Sequence, residues 1–458
     1  MRFYSKSVEE HCEVPLPDDG RWEALVGHWT RREAPQRAAE QGQNACFVVS
    51  VRARGSSHDA AAQMAEMVGL VEAQGDRVIG QLMIELARPD PRTLLRKGVA
   101  ERVADQARVC GATLLVIDAE LSPSQTRNLE DVTGLPVSDR EAAILNVFER
   151  HATTPRSRLQ VEIAHLQYLR PRIRGIGLNM DQQAGGILGS RGPGETASEL
   201  LARRLDTRIA RAREALAELA GANLAQRKHR SEAARIAIVG YTNAGKTTLM
   251  NALAGTSLSV RSRPFETLDT TSRCLTRHGG DVLLSDTVGF IRRLPERLLA
   301  SFEATLTEAC EATLLLWVVD ASDREHRLHL ETTEAVLTRL HADKIPRYYV
   351  FNKSDQLQEP LVEHQVRELT CGHPYVVLSA HDQAAVLGLK QALLRYVRAG
   401  RTRREIFVRY GDHDSMNRVY SLCRVLAADA EETGMRFTVE GAHHVLRQIA
   451  GRRERPQR

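Results

Sequence analysis

Lys246 and Thr247 follow a glycine inside IAIVGYTNAGKTTLMNAL (236–253), an apolar run that passes through a glycine-rich turn into a helix-forming stretch. That order turns the pattern GxxxxGK[ST] into a phosphate-binding loop. Gly240 and Gly245 permit the tight turn, and Tyr241, Thr242, Asn243 and Ala244 lie between them. The N–H groups of such a loop, with the positive end of the following helix, surround a polyphosphate. Lys246 is expected to reach the β- and γ-phosphates, and the Thr247 hydroxyl, next to Thr248, to bind Mg²⁺.

Three further motifs decide which nucleotide. LLSDTVGF (283–290) is an apolar strand ending in Asp286, placed to hold Mg²⁺ through water, followed by Gly289, whose amide can bond the γ-phosphate. YYVFNKSD (348–355) is a strand ending in NKxD. The Asp355 carboxylate can accept from the N1–H and exocyclic amine of guanine, which adenine lacks, and a site built this way rejects the wrong base strongly. Asn352 is expected to brace the loop and the stem of Lys353 to lie over the base. VVLSA (376–380) matches a loop that meets the guanine O6 through backbone N–H, at Ser379 and Ala380. Four motifs, in order and each at a strand end, fit the rule that open α/β sheets bind ligands beyond the carboxyl ends of their strands. The expected ligands are GTP and GDP with Mg²⁺.

Two positions bear on hydrolysis. Phe290 follows DTVG where many GTPases place a water-orienting Gln, so hydrolysis is expected to be slow until a partner completes the site. Asn243 could help hold a potassium ion in place of an arginine finger, or could simply stabilise the loop. The expected catalytic set is therefore Lys246, Gly289, Asn243 and a switch threonine from FETLDTTSR (265–273), with Thr267 first and Thr270 and Thr271 as competitors. Thr267 would join Thr247 and Asp286 at the metal.

The elements that must position these residues are legible in outline. At 458 residues with 42% apolar content the chain can build several cores. No run approaches the roughly 18 apolar residues of a membrane span, and MRFYSKSVEEHCEVPLPDDG has no apolar leader core. Seven cysteines without a CxxC pair suggest neither a zinc site nor a disulfide framework and fit a reducing cytoplasm. Lys supplies only 7 of the 63 basic residues, which raises the question whether a compact, flexible ammonium is needed where Lys stands, and Lys246 and Lys353 are two of the seven.

The expected class is α/β. Residues 1–155 form an α/β domain with strands at CFVVSVRA (46–53) and ATLLVIDAEL (112–121) and helices between them. Residues 156–231 form an antiparallel helical hairpin: Ala202, Leu205, Ile209, Ala212, Leu216 and Leu219 make one seam, and Leu159, Ile163, Leu166 and Leu169 the facing stripe. Its glycine-rich connection, RGIGLNMDQQAGGILGSRGPGET (174–196), is either a functional tip or a floppy one. Residues 232–400 form the G domain, with a mostly parallel sheet, and 401–458 a small α+β domain read as strand, helix, strand, helix. From Arg150 to Arg235 the net charge is +8 against +5 for the whole chain, which fits a local polyanion contact or a solvated helix face.

GYTNAGKTTLMNAL, FETLDTT, SDTVGFIRRLP and LLLWVVDASD together resemble the HflX family of ribosome-associated GTPases. Upstream, ARPDPRTLL (87–95), ELSPSQTRNLE (120–130), SDREAAILNVFERHATT (138–154), LQVEIAHLQYLRPRI (159–173) and SRGPGET (190–196) are similar to that family's N-terminal region. The resemblance implies a cytoplasmic GTPase that binds rRNA of the large ribosomal subunit through the hairpin and splits or rescues stalled ribosomes. It places Arg191, Gly192 and Gly194, in the RGPGET motif, at that contact. A monomer is expected. Two alternatives stay open: an RNA-binding switch without splitting activity, as in ribosome assembly, and a protein-docking switch using the hairpin as a coiled-coil face. The chain departs from the family at LLRKGVAERV (94–103), where a glycine-rich GxGK-like stretch is usual, and at GGILGSRGPGET, one residue longer than the usual tip.

Overall fold

The structure is a computed structural model that describes residues 44–55, 59–173, 197–228, 234–255, 271–275, 282–287, 289–295, 297–298, 310–359, 361–398, 402–441, 446 and 449. Thr267, Thr270, Arg174 and the tip residues Arg191, Gly192 and Gly194 lie outside them. The chain forms two compact units, one ending at Arg140 and one beginning at Glu141. Among the described residues no helix is long and apolar enough to cross a membrane.

In the first unit four parallel strands, β1 (Ala45–Ala53), β2 (Arg77–Leu86), β3 (Leu114–Asp118) and β4 (Val137–Asp139), run in the order β2-β1-β3-β4. The crossovers are α1 (Ala60–Ala73), α2 (Lys97–Val109) and α3 (Pro123–Thr133). Central strands of such a sheet are covered on both faces and read as continuous apolar runs, as LLVID does in β3. Strand β2 was not expected from the sequence. It is an edge strand whose RVIGQLMIEL is half-exposed almost throughout, so it shows neither a buried run nor a clean alternation. The strand expected at 112–121 is shorter, because Ala119 already bonds back to Ile117 and Ser122 caps α3 in a reciprocal box with Gln125.

The second unit contains the hairpin arms, α5 (Pro155–Ile173) and α6 (Ala197–Lys228), after α4 (Arg140–His151). Glu162 pairs with Arg208, and Arg170 pairs with both carboxylate oxygens of Asp206, the falling-against-rising order of an antiparallel pair. Ile163, Leu166, Leu205, Ile209 and Ala212 are buried. Arg172 is buried too, its guanidinium 3.4 Å from the centroid of the Tyr168 ring. Arg170 and Arg172 therefore serve the hairpin itself.

The G domain holds six strands: β5 (Ala234–Gly240), β6 (Ser272–Cys274), β7 (Val282–Asp286), β8 (Leu314–Asp320), β9 (Arg347–Asn352) and β10 (Tyr375–Val377). Their order is β10-β9-β8-β5-β7-β6, parallel except for β6 against β7. Helices α7 (Lys246–Ala254), α8 (His326–Arg339), α9 (Glu363–Leu369) and α10 (Gln383–Arg398) connect them. Leu249, Met250 and Leu253 of α7 and Leu389 and Leu393 of α10 share one core with Ile236, Ile238, Leu314, Leu316 and Val350 of the sheet. Each such side chain contributes about 1.5–3 kcal/mol by leaving water, which anchors the strand ends that carry the site.

The last domain differs from the expected order. It reads β11 (Thr402–Arg409), α11 (His413–Leu422), β12 (Arg424–Glu431) and β13 (Gly434–Gly441), an antiparallel sheet in the order β11-β13-β12. The two-residue connection Glu432–Thr433 makes a hairpin of β12 and β13, one strand more than the expected strand, helix, strand, helix. Gly434 follows it because a β-carbon there would stand 2.2 Å from the Val408 carbonyl oxygen.

Candidate nucleotide site

Strand β5 delivers the P-loop to the carboxyl end of the sheet, and α7 starts at Lys246 with its first-turn amides facing the loop. The turn needs a left-handed residue before the helix, and Gly245 supplies it at φ +89°. Asn243 is also left-handed, at φ 59°, and its side chain is exposed. Ala244 is buried, and Thr242 and Thr248 are half-buried. Lys246 is only 7% exposed and its Nζ donates to the Tyr241 carbonyl at 2.7 Å. Burial pushes its amine down to about 8, and the nearby Asp286 carboxylate opposes that shift.

Asp286, wholly buried at the end of β7, accepts from the Thr247 hydroxyl at 2.8 Å. Thr287 donates to the Ile238 carbonyl at 2.6 Å and so ties the next residue to β5. Beyond it, Phe290 donates its N–H to the Gly240 carbonyl and accepts from the Thr242 N–H at 2.7 Å. The DxxG segment is thus laced to the P-loop by backbone bonds. Gly289 sits where a β-carbon would come within 2.8 Å of Lys246 Nζ. The Phe290 side chain is 1% exposed and contributes no polar group.

On the other side, Asn352 at the end of β9 is buried and donates to the Ala244 carbonyl at 3.0 Å while accepting from the Ala380 N–H at 2.9 Å. One amide therefore joins the phosphate loop to the SA loop. Lys353 is left-handed at φ 62° and pairs with Asp320 at 2.6 Å. Asp355 is exposed, and the Ser379 hydroxyl bonds its carboxyl and holds it below the usual carboxylate range. Ser379 and Ala380 are buried beside it.

The structure brings together Gly240 to Thr248, Asp286, Gly289, Asn352, Lys353, Asp355, Ser379 and Ala380. Thr271, the described competitor for the switch threonine, accepts the Asp286 N–H through its carbonyl at 3.0 Å. Sequence reading missed Asp320, whose signal was the polar end of the apolar run LLLWVVD. It also missed the stack of Tyr241 on His329, which no local pattern announces.

Residues 235–353 match the family described as 50S ribosome-binding GTPase. Residues 61–149 match the GTP-binding GTPase N-terminal family, and residues 151–230 the GTP-binding GTPase middle region. The GTPase HflX of Spirochaeta thermophila is 40% identical over 370 residues, covering 80% of this chain and 86% of that protein. The chain belongs to the HflX family of GTPases. The HflX proteins of Gluconacetobacter diazotrophicus and Escherichia coli are 38% and 37% identical, covering 81% and 72% of this chain and 81% and 77% of theirs. A solved GTP-binding protein from Sulfolobus solfataricus, in complex with GDP, overlays at TM-score 0.42 and 21% identity, covering 76% of this chain and 99% of that one.

As an HflX-family GTPase the chain binds and hydrolyses GTP. The donor set fits that ligand. Gly245 and Gly289 let Asn352 and Lys246 approach the loop more closely than a β-carbon would allow, and a buried ammonium and the start of a helix converge there. A hydroxyl and a buried carboxylate lie together beside it, hard oxygens of the kind that would hold Mg²⁺ on a bound nucleotide.

Proposed function

We propose that this HflX-family GTPase binds the large ribosomal subunit through its hairpin and uses GTP hydrolysis to split or rescue stalled ribosomes in the cytoplasm, acting as a monomer. The observation that carries this reading is Phe290. Its buried apolar side chain stands where a water-orienting group is needed, so the hydrolytic site calls for a partner to complete it. The +8 stretch supplies a surface for a polyanion. The matched G-domain family, described as ribosome-binding, points to the same partner. Leu205, Ile209 and Ala212 are buried and Ala202, Leu216 and Leu219 half-buried, so little of the apolar seam is left for a protein partner, which favours RNA.

In this reading the P-loop amides from Tyr241 to Thr248 and Lys246 hold the phosphates, and Asp355, Ser379 and Ala380 select guanine. Asn352 braces the loops and Lys353 covers the base. Thr247, Asp286 and Thr267 hold Mg²⁺, which would neutralise charge on the β- and γ-phosphates. Gly289 offers its amide to the γ-phosphate, a contact GDP cannot make, so the two nucleotides differ at this segment. Asn243 would help hold K⁺. Arg191, Gly192 and Gly194 meet rRNA.

The test is GTP hydrolysis with and without purified 50S subunits or 70S ribosomes, with light scattering to follow subunit separation. Stimulation accompanied by a fall in scattering supports the proposal. Stimulation without separation would leave a ribosome-bound switch, and no stimulation would remove the ribosome as partner. Arg191→Ala should weaken the stimulated rate while GTP binding survives.

A further inference from the structure

The Tyr241 ring lies on the His329 imidazole with centroids 3.7 Å apart and planes 9° from parallel. The two side chains are 7% and 8% exposed, and they join the P-loop to the second turn of α8. The phenol oxygen of Tyr241 accepts the Arg292 N–H at 2.9 Å. Arg292 in turn pairs with Glu325, the residue just before α8, and the Glu325 carbonyl accepts the His329 N–H at 3.0 Å. A closed ring of contacts therefore runs from the phosphate loop through the segment after Gly289 to α8 and back. The same Tyr241 offers its main-chain carbonyl to Lys246.

We infer that Tyr241 is a positioning residue for GTP hydrolysis, and that His329 is the platform that fixes its ring. A phenol held flat by a stacked neighbour keeps its oxygen in one place. That oxygen anchors Arg292, while the backbone bonds between Phe290, Gly240 and Thr242 anchor the residues before it. Together they set where the Gly289 amide stands relative to Lys246. The γ-phosphate is what that amide addresses, and GDP has none. Loss of the phenol oxygen thus bears on the chemical step much more than on GDP binding. The ring is buried, and its oxygen acts through Arg292.

Tyr241→Phe removes one oxygen and keeps the stack. Losing one neutral hydrogen bond corresponds to a three- to tenfold effect, roughly. Under single turnover, with protein in excess, the hydrolysis rate of Tyr241→Phe should fall about fivefold. Its affinity for a fluorescent GDP should fall much less than the rate, because the substitution leaves in place the Tyr241 main chain that the phosphate loop uses. His329→Ala, which removes the platform, should lower the rate in the same way, and His329→Phe, which restores a flat ring, should recover it. A wild-type rate for Tyr241→Phe would overturn the assignment. So would a loss of GDP affinity in step with the rate, since that reads as damage to the P-loop. Failure of His329→Phe to recover the rate would remove His329 from it.

Discussion

A β-carbon on Gly245 would stand 2.2 Å from Nδ2 of Asn352. The contact is that close because the Asn352 amide lies directly against the P-loop, donating to Ala244 and accepting from Ala380. The NKxD strand end and the P-loop thus share one buried support. In the proposed reading, recognition of guanine and grip on phosphate are coupled through that side chain.

Asn352→Ala should therefore damage phosphate binding even though the residue faces no phosphate. The change leaves the Ala244 carbonyl and Ala380 N–H without that partner in a buried site, at about 1–3 kcal/mol for each group. GDP affinity in a fluorescence titration should fall at least about tenfold. Asn352→Asp keeps the acceptor for Ala380 and sets a carboxylate against the Ala244 carbonyl, so it too should bind weakly. Wild-type affinity in the alanine variant would mean the two loops are positioned independently.

Lys246 predicts a pH dependence with a definite sign. Burial brings its amine down to about 8, against an ordinary value of 10.5. Between those values the unfolded chain binds more protons, so stability rises with pH across that window. Below about 8 both states are protonated and the penalty of the buried charge is present in full. The gain across the window is at most roughly 3 kcal/mol. Phosphate restores the charged form, so GDP binding at about pH 9 should take up protons. Calorimetry in two buffers of different ionisation heat measures this directly. No uptake would mean the amine is already charged, and Lys246→Met should abolish the effect.

The sequence announced most strongly what the chain does with consecutive residues. GYTNAGKTT, DTVG, NKSD and LSA each occupy one strand end, and a strand end is a local event that pattern and composition can reveal. The parallel sheets were legible for the same reason, since central strands such as LLVID are apolar throughout. What stayed hidden depends on distant partners. Tyr241 meets His329 across the G domain, and nothing in HRLHLET distinguishes His329 from its neighbour His326. Edge strand β2 lacks a buried face of its own. The turn at Glu432–Thr433 lacks the Asn-Gly or Asp-Gly pair that marks a tight hairpin.

Another long-range construction sits in the first unit. Asp118, wholly buried, accepts from Ser50 and Gln63 at 2.7 Å and from Arg140 at 2.6 Å, and Arg140 also pairs with Glu66. Burial alone would lower the Arg140 value, but Glu66 and Asp118 outweigh it and hold the guanidinium firmly charged. Arg140→Leu leaves two carboxylates in that site with no cation between them. It should destabilise the first unit by about 3–5 kcal/mol in urea unfolding, while GDP affinity, which resides in the other unit, stays intact. A variant as stable as the wild type would show that the network is dispensable.

Asn243 offers two readings that one substitution separates. Its φ of 59° is strained for most side chains and free for glycine. If the residue only serves the loop's shape, Asn243→Gly keeps that shape, and hydrolysis should match the wild type in potassium and in sodium. If the exposed amide oxygen helps hold K⁺ beside the phosphates, the glycine variant loses that oxygen without losing the turn. The proposal expects the second pattern: GDP affinity retained, and potassium stimulation of GTP hydrolysis removed, so that rates in the two salts converge on the sodium value. Asn243→Asp sharpens the comparison, because a carboxylate keeps an oxygen for the ion and should retain part of the stimulation. Potassium stimulation that survives in Asn243→Gly would assign the ion to other groups and leave Asn243 as a residue of loop geometry.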